Sequence, residues 1–203
     1  MAVRSAIAGV LCILFLAGVA SEAGATSSPT SFSSATLFRS GDRTVVSTVN
    51  YGPAGPLFAS SPCPGGRQID FGWSTLAWGR DGVLQSVAQL QPSVRDGRVE
   101  YASDGNLVEW YVEEPEGLEQ GWDIAERPAG EGPLVIAGGF RGVTAAESVT
   151  DRGWIDLRDA SGSMTSRYGA LKAWDARGQS LACDLSAEGG RNEIRVDDAG
   201  AVC

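Results

Sequence analysis

The chain of 203 residues contains no histidine. That absence excludes the Ser-His-Asp and Cys-His nucleophile systems, imidazole acid–base chemistry and the commonest transition-metal ligand. Lysine is nearly absent as well. Lys172 stands alone beside fifteen arginines, against 25 acidic residues, for a net charge of −9. With no Lys/Arg cluster to offset the acidity, nucleic acid and anionic membranes are not expected as partners. Cysteine is scarce, four residues in all with no C-x-x-C pair, which argues against a structural zinc site. No cofactor is expected. No segment shows a sustained 3.6-residue apolar stripe behind a capping residue, so helices are not expected to build the fold.

One long apolar run is present, residues 6–20, preceded by the single cation Arg4 and ended by Ser21 and Glu22. Ala23-Gly24-Ala25 follows with the small residues that a signal peptidase needs. The run is short for a membrane span and no second run acts as a stop-transfer. Residues 1–25 therefore read as a signal peptide, residues 26–34 as a disordered polar leader, and residues 35–203 as one domain. The expected location is extracellular or at the cell surface, with no membrane insertion after cleavage. Cys12 falls in the leader behind Leu11, where a lipid-attachment site wants a small residue. Export permits disulfides, and Cys63, in a Pro/Gly loop, is expected to pair with Cys203. Cys183 reads as a buried core cysteine on the apolar side of a strand.

The rest of the chain is short alternating segments between turn signals. Asp81-Gly82, Asp96-Gly97, Asp104-Gly105, Ser161-Gly162, Arg177-Gly178 and Gly189-Gly190 punctuate it. Strands are expected over 44–49, 98–102, 107–112, 134–137, 154–158, 166–174, 180–185 and 193–196, and residues 51–66 read as an irregular Pro/Gly loop. Ile69, Phe71 and Trp73 share one parity and Leu76 and Trp78 the other, which predicts a bulge near Ser74-Thr75. In 107–112 the expected core face is Val108, Trp110 and Val112, with Glu109 and Tyr111 opposite. The fold class is all-β, an antiparallel β-sandwich, with a closed or partly open β-barrel as the alternative.

Glu109-Trp110-Tyr111, then Pro115 and Gly117-Leu118-Glu119-Gln120-Gly121-Trp122, with Gly132-Pro133-Leu134, the stretch 168–176 and the closing 196–201, form a recognisable series. It resembles the amino-terminal domain of large secreted bacterial FG-GAP proteins, whose integrin-α-like β-propeller repeats follow that domain. The likeness spans about residues 98–201. It departs at the acidic Glu113-Glu114-Pro115-Glu116, where an Asn-Gly-Pro type of turn is expected, and no repeats follow up to Cys203. The resemblance implies an extracellular accessory module, not an enzyme.

The densest chemistry is Glu109, Glu113, Glu114, Glu116, Glu119 and Asp123 interleaved with Trp110, Tyr111 and Trp122. No catalytic residue is assigned, because glycoside cleavage needs a carboxyl with a raised pKa in an apolar cleft and these glutamates read as solvated. Calcium at Glu113, Glu114 and Glu116, or at Asp197-Asp198, lacks a D-x-[DN]-x-[DN]-G spacing, so those residues read as surface charge and no metal site is assigned. Glu119 and Gln120, flanked by Gly117 and Gly121, read as a tight structural corner. Together with Tyr111 and Trp122 they are the candidate ligand-binding residues. Three functions follow in order: a non-enzymatic structural or interaction module, a carbohydrate-binding module with an exposed aromatic row, and a glycosidase-like enzyme. The candidate partners are an extracellular glycan or a protein.

Overall fold

The structure, a computed structural model, describes residues 7–15, 32–40, 43–61, 69–88, 90–103, 105–114, 117–149 and 154–201, with side chains for 49–59, 70–88, 90–103, 105–114, 118–145 and 154–201. Among these residues there are strands and turns and no helix. The strands are β1 (Ile7–Phe15), β2 (Phe32–Ser40), β3 (Arg43–Gly52), β4 (Gly55–Ser61), β5 (Ile69–Arg80), β6 (Val83–Ser86), β7 (Ser93–Arg95) and β8 (Arg98–Ser103). They continue as β9 (Leu107–Glu114), β10 (Gly117–Ile124), β11 (Leu134–Arg141), β12 (Thr144–Val149), β13 (Trp154–Arg158), β14 (Met164–Trp174), β15 (Ser180–Glu188) and β16 (Arg191–Asp197).

All pairings are antiparallel, and they form two layers. One layer runs β12-β13-β14-β1-β10-β9-β8-β7; the other runs β2-β3-β4-β5-β11-β16-β15, with β6 beside β5. The layers join at a corner, where Leu181 and Ser180 of β15 pair with Ala173 and Trp174 of β14 before the strand continues along β16. The strand path starts at β2 and stops at β7 without these two meeting, so the sheets form a sandwich and not a closed barrel. The inner faces meet as alternating residues: Ile155 and Leu157 from β13, Asn192, Ile194 and Val196 from β16, and Leu134, Ile136 and Phe140 from β11 are buried. Aromatic rings fill the middle, with Phe58 stacked on Phe71 and on Trp73 at centroid distances of 4.8 Å, and Trp73 against Tyr111 and Tyr168.

Local chemistry accounts for the turns. Asp96 and Gly97 both take positive φ, 50° and 82°, the pair of conformations a two-residue type I′ hairpin requires. The bulge expected near Ser74-Thr75 lies one residue on. Thr75 pairs with Gly138 and Ala77 with Ala137, leaving Leu76 as the extra residue. Phe71, Trp73 and Thr75 therefore point inward before it, and Trp78 and Arg80 after it, while Leu76 is exposed.

Other expectations are corrected. Much of the loop expected over 51–66 is regular: Tyr51 and Gly52 end β3, Pro53-Ala54 make the turn, and β4 pairs with both β3 and β5. Pro is accommodated because its missing N–H falls at the turn and Pro56 lies at the strand's second residue. The polar leader expected over 26–34 is strand from Phe32 onward, antiparallel to β3; the part before it lies outside the described residues. Gly117 to Gly121 is no corner but the first half of β10, in register with β9. Residues 7–15, which fall within the expected signal peptide, form β1 between β10 and β14 in the uncleaved chain, a placement that does not bear on export. Cys183 has a free thiol on the apolar side of its strand, packed against the core as expected but half-buried, and its pKa is pushed up by burial and then by the charge of Asp184. Cys63 and Cys203, the expected disulfide, lie outside the described residues.

Candidate functional site: a buried polar cluster between the sheets

The β9–β10 hairpin sets the site. Tyr111 pairs with Gln120, Glu109 with Trp122 and Leu107 with Ile124, so these six residues share one face. That face turns into the sandwich, and all six are buried. The expected parity is therefore reversed. Val108 and Val112 lie half-buried on the outer face, where Trp110 is opposite Gly121. A Cβ on Gly121 would come within 2.2 Å of the Trp110 ring, so glycine lets the indole lie flat on β10. The Arg98 guanidinium covers the ring from 5.2 Å and Asp123 accepts from its N–H at 3.0 Å. Trp110 is buried by its own surface neighbours, not by the opposite sheet.

Inside, a chain of hydrogen bonds joins both layers. The Tyr111 hydroxyl donates to Glu109 Oε1 and receives Trp73 Nε1–H at 3.0 Å and Gln120 Nε2–H at 3.1 Å. Gln120 Nε2 also donates to Glu109 Oε1 at 2.6 Å, and its Oε1 accepts the Tyr168 hydroxyl at 2.9 Å. Trp122 Nε1–H donates to Thr75 Oγ1 at 2.9 Å, and Thr75 also bonds Glu109. Burial raises the Glu109 pKa above its ordinary value, with the bonds from Tyr111, Gln120 and Thr75 opposing it. Burial likewise raises Tyr111, helped by the charge of Glu109.

A cleft of about 100 Å³ opens beside this cluster, with Gly55, Thr75, Leu76, Leu90, Tyr101 and Glu109 in its wall. Glu109 is the one carboxyl among its described lining residues. Glycoside cleavage uses two carboxyls facing each other across the substrate, and the described wall offers one that already accepts several hydrogen bonds.

Of the four candidate ligand residues, the structure brings together Tyr111, Gln120 and Trp122, all buried in the cluster. Glu119 points the other way and is half-exposed, its pKa raised by partial burial and then by Glu114. Glu113 is half-buried and hydrogen-bonded to Tyr51, and Glu114 is exposed. Glu116 lies outside the described residues. Of the suggested calcium carboxylates, Asp198 is not surface charge. It is fully buried, taking Arg80 Nη1 at 2.6 Å and Nη2 at 2.8 Å, with Arg127 Nε at 3.0 Å. No group of three or more metal-ligating side chains occurs among the described residues. Of the six tryptophans, Trp73, Trp78, Trp110 and Trp122 are buried and Trp154 and Trp174 are half-buried.

Sequence reasoning missed Glu109 as an interior residue, and with it Trp73, Thr75 and Tyr168. The available signal was cross-strand: Leu118, Gln120, Trp122 and Ile124 alternate toward one face of β10, and the Gly121 gap opposite Trp110 marks the other as the outer one. No family model, curated protein or solved structure matches the chain. Fold and cluster together define an all-β antiparallel sandwich braced internally by buried hydrogen bonds.

Proposed function

We propose that the chain is an exported, non-enzymatic structural or interaction module. The observation that supports this most is the state of Glu109: the described cleft acid is held by Tyr111, Gln120 and Thr75 in a hydrogen-bond network, and it is the one carboxyl among the described lining residues. Such a network fixes the relative position of two sheets, which is what a rigid presenting module needs. The leader-like residues 1–25 supply the export part of the proposal, and the resemblance to amino-terminal domains of FG-GAP proteins is consistent with an accessory role outside the cell.

Two measurements test it. Amino-terminal sequencing of material recovered from the medium is expected to begin at Thr26; recovery of Met1 or Ala2 contradicts export with cleavage. A screen of glycan hydrolysis is expected to find no turnover. Hydrolysis that Glu109→Gln abolishes while the variant unfolds like the parent overturns the non-enzymatic reading.

A further inference from the structure

The place of β1 in the sheet has a consequence once residues 1–25 are removed. Its backbone pairs antiparallel on both sides, from Ile7 opposite Ile124 to Leu14 opposite Leu118 on β10, and from Val10 opposite Ala173 to Phe15 opposite Arg167 on β14. Loss of β1 leaves two strand edges facing each other across a gap one strand wide, about 9–10 Å at the usual interstrand spacing. The edges do not simply close. Both are antiparallel to β1 and hence parallel to each other, and β14 carries a register shift opposite Leu11 and Ile13 with Ala170 at φ 54°. The side chains beneath also hold them apart, because the Tyr168 hydroxyl reaches from β14 to Gln120 of β10, and both are anchored in the Trp73–Tyr111–Glu109 network. With β1 removed, Tyr168 and Gln120 would form the floor of an open slot.

We infer that this slot is a strand-addition site that takes an extended apolar segment of about nine residues from a partner polypeptide, antiparallel to β10 and β14. The occupant's chemistry follows from the segment seated there, Ile-Ala-Gly-Val-Leu-Cys-Ile-Leu-Phe, which is uncharged throughout. Two unpaired edges supply main-chain hydrogen bonds on both sides of the incoming strand, whereas an ordinary sheet edge supplies one. The inference rests on leader cleavage.

The test uses the processed protein recovered from the medium and, as probe, a synthetic peptide of residues 7–15 carrying Cys12→Ser and flanking lysines. Without peptide, amides of residues 118–124 and 167–173 are expected to include a fast-exchanging set. Peptide is expected to slow that set by about tenfold or more, the signature of a newly paired edge. A peptide N-methylated at alternate amides is expected to leave exchange unchanged, because it cannot complete the ladder. Slow exchange without peptide at every protein concentration means the edges have closed on each other, and overturns the inference. Protection that appears only as protein concentration rises assigns the slot to a second copy and overturns the partner strand. Exported protein that still begins at Met1 refutes the leader reading itself, which sequencing distinguishes from a closed slot.

Discussion

Tyr111 serves three buried partners with one hydroxyl, donating to Glu109 and accepting from Trp73 and Gln120. Tyr111→Phe keeps the ring and orphans those groups, so it is expected to destabilise by about 1–3 kcal/mol in urea unfolding, the scale for unsatisfied buried polar atoms. A neutral result shows that the network is not under load. Asp198 is the second such residue. It holds Arg80, which is 2% exposed at the end of β5, and draws in Arg127 from the loop before β11. Asp198→Ala leaves Arg80 buried without its counter-ion and is expected to lower stability by about 3–5 kcal/mol, measured the same way. Neither role was legible in the sequence. Asp197-Asp198 reads as surface charge, and only the return of the chain after β16 to the end of β5 puts Arg80 beside it.

At the scale of elements, β9 shows why alternation alone misassigns a face. Val108, Trp110 and Val112 are the more apolar set, yet Leu107, Glu109 and Tyr111 face the opposite sheet. A strand can bury its polar set when the other layer supplies donors, here Trp73 and Thr75, and it can shield its apolar set with an arginine. Trp110→Ala is therefore expected to lower stability by about 2 kcal/mol, below the ~3–5 kcal/mol of a core aromatic, because Arg98 and Gly121 cover the ring rather than a second sheet. Thermal melts of this variant beside Trp73→Ala check the ordering, with Trp73→Ala the more damaging. β5 was better read. Its switch of parity is a property of the strand's own residues, so the bulge was visible, and the Asp-Gly hairpins were visible for the same reason. What sequence could not give was register between distant strands, such as β5 against β11 or β15 turning from β14 to β16, because those pairings depend on contacts far apart in the chain.

For the whole molecule, composition established the class: frequent Gly turns, short alternating runs and no helical stripe yield two antiparallel layers. The function classes set aside for want of histidine rest on sequence alone. The candidate site was half legible. Tyr111, Gln120 and Trp122 were singled out from the short β9–β10 stretch, but as ligand contacts, whereas their side chains are spent on each other and on the opposite sheet. The central claim is that Glu109 is an interior brace whose neutral form the fold favours. Its folded pKa lies above the ordinary 4.5, so between the unfolded and the folded pKa the folded state holds a proton that the unfolded chain has released. Its contribution is therefore full below the unfolded pKa and lost as pH rises through the folded one. The direct measurement is urea unfolding of wild type and Glu109→Gln from about pH 4 to about pH 8, because the variant cannot titrate at this position. The stability of wild type relative to the variant is expected to fall as pH rises above about 4.5 and then level off. Parallel curves, or a wild type that gains on the variant with rising pH, contradict the account.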